Sequence, residues 1–398
     1  MPFENDPALI YLNSERQPGD AGTHVFIVGV GKYRYGQGQD AMAMHGQALS
    51  QLTSPPHSAR AMADWFLQHF RRHDKPLTSL AMVLSEENPQ GYTLPGRPEL
   101  GAQAIPAATL ENVEAAADRW AMRLESNPAN MAVFYFCGHG IANGMNAAAL
   151  LEDFGRPQRP LTPAIDLMAS IAVMKNSTAR EQAFFIDACR SDADDLYTNQ
   201  SAIGQKLVEI VMNPAMGRRP VKQFSLFPSI RGHLAYARPN QPSVFCRSLL
   251  DAFNFAAADD RSLPGWKTRM ATILDATTKL MELRVPADAR DVSTPNAMNA
   301  VSFDFNEIDP PVMVHSFVSL SDHAYWQDVT VECAPDKYSA ATHFRTGHET
   351  LPECYCCFPL PEGQWNIRAT GLAPERRVEE RDWSLRAPVV YIELEVTP

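Results

Sequence analysis

Three short, uninterrupted apolar segments constrain the fold of this sequence more than any other feature. They run from Thr23 to Val30 (THVFIVGV), from Met131 to Cys137 (MAVFYFC) and from Gln182 to Ala188 (QAFFIDA). Segments of strand length that are apolar at consecutive positions are typical of strands buried on both faces of a parallel sheet. Helices must cover both faces of such a sheet, so the sequence predicts an α/β fold.

Helical patterns lie between these segments. Apolar residues recur at every fourth position from Ser58, a predicted N-cap, to His73. Thr109 opens a second amphipathic helix, and Ala164 to Met174 form a third helical stretch, while residues 79–84 predict a further strand. Strand, helix, strand units of this kind join by right-handed crossovers into a mostly parallel sheet.

His139 and Cys189 each lie just past the end of a predicted strand, 50 positions apart. The carboxyl ends of parallel strands meet at one edge of the sheet, where chemistry gathers. A cysteine thiol needs a neighbouring imidazole to become a thiolate at neutral pH, and the imidazolium can then protonate the leaving amine of a peptide. The amide N–H groups of Gly140 and Cys189 are suitable oxyanion donors.

Each of these two residues also has an ordinary structural interpretation. A single cysteine at a strand end is more often a buried apolar residue than a nucleophile, and a single histidine in a glycine turn is more often structural. The combination of Gly-His-Gly after one apolar strand and Asp-Ala-Cys-Arg after the next favours a catalytic pair.

Residues of roughly 23 to 305 resemble a caspase-like cysteine peptidase of the metacaspase and bacterial caspase-homologue type. Four segments carry the resemblance, in this order: ATLENVEAAADRWA, FYFCGHG, FFIDACRS and LAYARPNQPSVFCRSLL. The resemblance implies a caspase–hemoglobinase fold, peptide hydrolysis through a Cys189–His139 dyad, and chemistry that needs no metal and no cofactor.

The resemblance also implies a substrate cleft that includes Asp187, Arg238 and Ser243. Asp187 lies two residues before the nucleophile, as in metacaspases that cut after Arg or Lys, and a carboxylate pairs with a guanidinium. Arg238 lies near a pocket arginine of caspases that cut after aspartate. We therefore favour basic residues before the cut bond, with acidic, small or apolar residues as alternatives, and a strand-end cap as the other role for Asp187. The family's usual Asn-Asp pair is replaced by His57-Ser58, which removes one acidic wall of the pocket.

Residues 191–224 are long, polar in places and rich in Met, Gly and Arg, which suggests an activation loop of a zymogen. If the peptidase prefers basic residues, self-cleavage is expected at Arg218 or Lys222. Arg219 is excluded because it precedes Pro220, whose nitrogen carries no hydrogen. The alternative is a connector with incidental basic residues.

After Asp309-Pro310-Pro311 the helical patterns stop and short runs typical of β-strands follow. The expected organisation is an N-terminal arm (1–22), a peptidase domain (23–308) and a β-sandwich (309–398). PEGQWNI, from Pro361 to Ile367, resembles a strand entry of transthyretin-like sandwiches and is interpreted as one hairpin. Zinc binding by Cys354, Cys356 and Cys357 is disfavoured, because adjacent residues of a strand point to opposite faces.

Composition limits the partners. A net charge of −11 argues against nucleic acid, and neither a leader nor a membrane-length apolar run is present, so a soluble cytoplasmic protein with reduced thiols is expected. The expected partners are a protein or peptide substrate and an activating ligand or partner of the C-terminal module. The expected role is an endopeptidase effector of bacterial antiphage defence or regulated cell death. The alternative is a catalytically silent caspase-fold binding protein.

Overall fold

The structure is a computed structural model. It describes residues 6–17, 19–36, 43–44, 47–143, 146–188, 191–192, 203–210, 220–228, 239–259, 265–285, 294–309, 311–350, 354–372, 376–378, 380–387 and 389–397.

Strands and helices are numbered here in chain order. Strands β1 to β14 are Leu9–Leu12, Thr23–Val30, Ala43–Met44, Gln47–Ala48, Leu77–Ser85, Tyr92–Thr93, Ala102–Gln103, Met131–Gly138, Gly140–Asn143, Asn146–Leu150, Ala164–Asp166, Glu181–Ala188, Ser191–Asp192 and Lys222–Phe227. Strands β15 to β27 are Ala258–Asp259, Trp266–Arg269, Asn296–Met298, Asp304–Ile308, Met313–Leu320, Thr330–Ala334, His343–Thr346, Tyr355–Pro361, Gly363–Thr370, Arg377–Val378, Arg381–Leu385, Val389–Leu394 and Val396–Thr397. Helices α1 to α5 are Ser54–Gln68, Leu110–Leu124, Leu167–Val173, Val244–Asp251 and Met270–Arg284.

A seven-stranded sheet organises the first two thirds of the chain, in the order β1-β5-β2-β8-β12-β14-β17. The inner strands β5, β2, β8, β12 and β14 are parallel, and β1 and β17 pair antiparallel at the two edges. Every residue of β2 and β8 is buried, as the apolar sequence predicts. The predicted mostly parallel sheet flanked by helices is confirmed, and β2 has the predicted bounds.

Helix α1 begins earlier than the apolar pattern predicts. It starts at Ser54, with two prolines in its first turn and Thr53 at the N-cap position. Ser58 lies inside the helix and is completely buried, so its predicted role as the N-cap is wrong. Proline supplies the backbone angle of a first helical turn, which lets the helix begin at Ser54 without a serine cap further along.

The other two predicted helices, unlike α1, each have a side-chain cap at the N-terminus. The Thr109 hydroxyl accepts from the backbone N–H of Asn112, as predicted for the start of α2. The third predicted helix is shorter than expected, because Ala164–Asp166 form strand β11 and Asp166 then caps α3.

A four-stranded sheet, β11-β10-β9-β13, extends from the carboxyl edge of the large sheet. Strand β9 begins at Gly140, directly after His139, and β13 begins at Ser191. The connection that follows β8 and the connection that follows β12 therefore both enter the same small sheet.

The chain divides into two compact units: Met1–Leu250 with Thr277–Phe303, and Asp251–Ala276 with Asp304–Pro398. In the second unit, the sheets β22-β19-β26 and β21-β20-β23-β25 enclose one apolar core that includes Val318, Phe358 and Ile367. The C-terminal region is thus strand-rich, as predicted. The transthyretin-like resemblance and the boundary after residue 308 stay predictions.

One detail of the C-terminal prediction is wrong. The segment from Pro361 to Ile367 does not form a hairpin, since β22 and β23 belong to different sheets. Gly363, with a positive φ of 145°, lies at the crossing from one sheet to the other. Turn residues indicate that the chain changes direction, but they do not specify which sheet the next strand joins.

Within the described ranges, none of the helices has the length and apolar character that a membrane crossing would require.

Candidate active site

His139 follows the last residue of β8, at the carboxyl edge of the large sheet. Its backbone N–H donates to the Tyr33 hydroxyl at 2.6 Å, and its backbone carbonyl accepts from Leu150 N–H at 2.9 Å. A side chain on Gly138 would place Cβ 2.8 Å from the Tyr33 hydroxyl oxygen. Glycine at 138 is therefore required for the close contact between Tyr33 and the histidine backbone.

The strand register brings the segments around His139 and Cys189 together. Ala188 in β12 pairs with Gly138 in β8, and Ser191 in β13 pairs with Ile141 in β9. Cys189 itself lies outside the described residues. Its described neighbours on both sides are opposite the neighbours of His139, so the two strand ends lie at one position of the sheet edge.

The imidazole of His139 has a defined hydrogen-bond partner. Its Nε2 lies 2.8 Å from the backbone carbonyl oxygen of Ser50, and a carbonyl can only accept, so the hydrogen of the neutral ring is on Nε2. Nδ1 is then the nitrogen that can take a proton. Burial lowers the pKa of His139, and the bond to Ser50 opposes that effect in part. Burial is the larger of the two effects, so the pKa of His139 is lowered and the neutral ring is favoured at pH 7.

The amide of Gly140 points away from β10. Leu150 N–H bonds to the carbonyl of His139, which makes Gly140 and Ala149 a non-hydrogen-bonded pair of the antiparallel ladder. The N–H of Gly140 is consequently directed toward the opposite side of β9, where β13 pairs.

Comparison with known proteins gives the family. Residues 25–296 match the caspase domain of peptidase family C14. The chain belongs to this family of cysteine peptidases. It is also 26% identical over 250 residues to an uncharacterised protein, y4kE, of Sinorhizobium fredii (strain NBRC 101917 / NGR234), covering 58% of this chain and 69% of that protein. Caspase-1 from Spodoptera frugiperda is similar in structure, with 11% identity and a TM-score of 0.41 over 70% of this chain and 88% of that one.

Asp187 of this caspase domain is buried near the end of β12. Its Oδ2 accepts from the Tyr135 hydroxyl at 2.8 Å and from the Ser243 hydroxyl at 2.5 Å. Burial raises the pKa of Asp187 to about 6, and the two hydroxyl donors oppose that effect. The carboxylate form therefore predominates at pH 7, with both described donors on one oxygen.

Ser58 has a structural contact of its own. Its hydroxyl accepts from the backbone N–H of Ser243 at 2.9 Å, and Thr53 accepts in the same way from Asn240. Helix α1 thereby holds the segment that carries Ser243, and Ser243 in turn contacts Asp187.

Of the remaining predicted site residues, Lys222 is the one that lies within the described part of the chain. Arg218 and Arg238 lie outside the described residues. Lys222 is the exposed first residue of β14; its N–H donates to the carbonyl of Arg180 at 2.8 Å, and its ammonium lies 3.4 Å from a carboxylate oxygen of Glu181.

Three further residues contact the predicted site residues, although no sequence motif marks them: Tyr33, Ser50 and Tyr135. Tyr135 belongs to an apolar strand, and the sequence pattern of that strand predicts burial of its ring but not a hydrogen bond from its hydroxyl. Ser50 contributes a backbone carbonyl, which every residue has, and only the chain path can reveal such a role.

Other cysteines of the chain differ from a nucleophile in their surroundings. Cys137 precedes the Gly-His-Gly turn, but it is completely buried, bonds to the carbonyl of Pro55, and burial raises its pKa well above the usual value. In the second unit, Cys356 is buried and Cys357 is half-buried, in agreement with alternation along β22. No three His, Cys, Asp or Glu side chains converge on a metal position within the described part of the chain.

We expect Asp187→Asn to stabilise the fold at neutral pH. Because the folded-state pKa of Asp187 is about 6 against 3.8 when exposed, wild-type stability falls as pH rises from about 4 to 6 and is then constant. At pH 7.5, the variant should gain about 2 kcal/mol in free energy of unfolding, and the gain should shrink toward pH 4. Urea unfolding at several pH values measures this.

Asp64→Asn is the matched control, since the half-buried Asp64 also accepts from a tyrosine hydroxyl, that of Tyr92, at 2.6 Å. It should show no comparable gain. A loss of stability in Asp187→Asn at pH 7.5 would contradict the burial argument.

Proposed function

We propose that this chain is a cysteine endopeptidase in which Cys189 is the nucleophile and His139 transfers the proton. The observation that carries the proposal is the 2.8 Å contact between His139 Nε2 and the backbone carbonyl of Ser50, from which the tautomer follows. With the hydrogen on Nε2 bonded to Ser50, Nδ1 is left to accept a proton at the sheet edge that the strand leading to Cys189 also reaches. The segments before and after Cys189 pair with those before and after His139, which supports a reach of one hydrogen bond.

The proposed reaction has two halves. The Cys189 thiol gives its proton to Nδ1 of His139, and the thiolate attacks the carbonyl carbon of the scissile peptide. The N–H groups of Gly140 and Cys189 stabilise the oxyanion. The imidazolium then protonates the leaving amine, the C–N bond breaks, and a thioester to Cys189 remains. A water molecule, deprotonated by His139, hydrolyses this thioester and restores the thiol.

Cys189→Ala and His139→Ala should each lower kcat/KM for peptide cleavage by about 10³-fold or more while the protein remains folded. The double variant should be little worse than either single one, because the two residues act as a unit. Cys354→Ala, a half-buried cysteine of the second unit, should keep full activity.

The measurement is cleavage of a broad peptide library by each purified variant, with thermal unfolding as the folding check. Substantial cleavage by folded Cys189→Ala would remove the assignment. A wild-type protein that is folded and cuts no peptide in the library would favour the catalytically silent alternative.

We further propose that the enzyme cuts after Arg or Lys. The support is the buried carboxylate of Asp187, in which both described hydroxyl donors bind Oδ2, so that Oδ1 can accept from a substrate cation. A desolvated carboxylate attracts a guanidinium strongly and repels an acidic side chain. Arg238 is the residue on which the alternative preference for aspartate would depend.

Substrates with Arg before the cut bond should lose kcat/KM as pH falls through about 6, because Asp187 then becomes protonated and loses its charge. A matched substrate with Ala there should lose less. Asp187→Asn should lower kcat/KM for the Arg substrate by about 30-fold or more and largely remove the preference for Arg over Ala. A loss of this size is consistent with the cost of about 2 to 5 kcal/mol for a buried charge pair that loses one member. Library cleavage that shows aspartate before the cut would contradict this preference.

The biological role that we propose is an effector of bacterial antiphage defence or regulated cell death, with the second unit as a module that docks a partner or an activating ligand. An unregulated peptidase would damage its own cell, so a zymogen is the expected resting form. Self-cleavage would occur at Arg218 rather than Lys222. Arg218 is preferred because the bond after Lys222 lies in β14, which is paired with β12. Proteases bind extended chain that is not paired in a sheet.

Intact-mass measurement after incubation tests the self-processing proposal. Wild type should yield fragments that end at Arg218, whereas Cys189→Ala and Arg218→Gln should stay intact, and Lys222→Gln should be cut like wild type. Identical masses for active wild type and Cys189→Ala would show that this segment is a connector.

A further inference from the structure

The His139 side chain is held from two separate segments of the chain. Ser50 accepts from Nε2 through its backbone carbonyl, and the Tyr33 ring lies against the imidazole with centroids 4.8 Å apart. Tyr33 is 1% exposed, and its hydroxyl accepts from the backbone N–H of His139. The orientation of the imidazole therefore depends on how these two segments are held relative to each other.

The Gln51 side chain joins the two segments. Its Oε1 accepts from the backbone N–H of Tyr33 at 2.7 Å, and its Nε2 donates to the backbone carbonyl of Tyr33 at 2.8 Å. One amide thus satisfies both backbone groups of one residue, in the manner of a neighbouring strand. A second link lies beside it, from Leu52 N–H to the carbonyl of Gly31 at 2.8 Å.

Space between these segments is small. A Cβ on Gly31 would lie 2.5 Å from the carbonyl oxygen of Leu52. The two segments consequently run in direct backbone contact, and a shift of Gln51 moves the carbonyl of Ser50, its immediate neighbour in the chain.

We propose that Gln51 is a positioning residue for His139, acting through Tyr33 and the Ser50 carbonyl. By pairing with the Tyr33 backbone, Gln51 fixes the Ser50 carbonyl where it accepts the Nε2 hydrogen. That bond keeps the hydrogen of the neutral ring on Nε2 and leaves Nδ1 as the base. This inference rests on the proposed peptidase function for its kinetic consequence, but the tautomer of His139 can be measured without any activity.

Two substitutions of Gln51 and one control test the two hydrogen bonds between the Gln51 side chain and the Tyr33 backbone. Gln51→Met has about the same length and loses both bonds to Tyr33. Gln51→Glu keeps the acceptor for the Tyr33 N–H and loses the donor at neutral pH, so its effect should be intermediate. Gln103→Met is the matched control, because Gln103 also donates from its side-chain amide to a backbone carbonyl, that of Leu9, but in another part of the domain.

The first measurement is nitrogen and proton NMR of the histidine rings in ¹⁵N-histidine-labelled protein. All variants carry Cys189→Ala, and the His139 signals are assigned by their loss in His139→Ala. The parent protein should show the Nε2–H tautomer for His139. Gln51→Met should shift it toward a mixture of the two tautomers, and Gln103→Met should leave it unchanged.

The second measurement is peptide cleavage with Cys189 present. Gln51→Met should lower kcat by about 10- to 100-fold with KM within about 3-fold, since the loss concerns the proton transfer and not substrate contact. Gln51→Glu should fall between it and wild type. A His139 tautomer that is the same in folded Gln51→Met and Gln103→Met overturns the inference, whatever happens to kcat. If wild type cleaves no peptide, the peptidase proposal fails, and the NMR result still decides the role of Gln51.

Discussion

The parallel pairing of β8 with β12 is the interaction on which the rest of the site depends. Its register places Ala188 opposite Gly138, so the chain leaves both strands at the same point of the sheet edge. Every residue of β8 is buried, and slipping the register by one position would turn its side chains to the other face. The packing of the apolar core therefore fixes the relative position of two segments that are 50 residues apart in sequence.

Burial at that edge has opposite electrostatic consequences for two side chains. It lowers the pKa of His139, which favours the neutral base, and raises the pKa of Asp187 to about 6, which makes its negative charge costly. Hydroxyl donors from Tyr135 and Ser243 offset part of that cost. A cation that pairs with Asp187 would offset more of that cost, which is the physical basis of the proposed preference for Arg or Lys.

A good part of this architecture is encoded in local sequence. Apolar runs predicted four of the five inner strands, with the bounds of β2 correct at both ends, because full burial of a strand requires apolar residues at every position, whereas β14 was not predicted and its first residues fell in the predicted activation loop. Thr109 was correctly identified as the start of a helix, and the hydroxyl contact that caps this helix lies within four residues. The same local reasoning failed where a side chain has a distant partner: Ser58 resembles a cap in sequence, yet its hydroxyl accepts from Ser243, 185 positions away.

By itself, the sequence determined the fold class, the family and the two strand ends from which the proposed dyad emerges. Only the tertiary structure decided what holds His139. Ser50 lies 89 positions before His139 and Tyr33 lies 106 positions before it. Neither residue type predicts a contact with the histidine. Gly363 likewise marks a change of direction in sequence, whereas its crossing between two sheets depends on where each strand packs. The physical reason is that periodicity records which residues are buried, while hydrogen bonds between distant segments depend on the path of the whole chain.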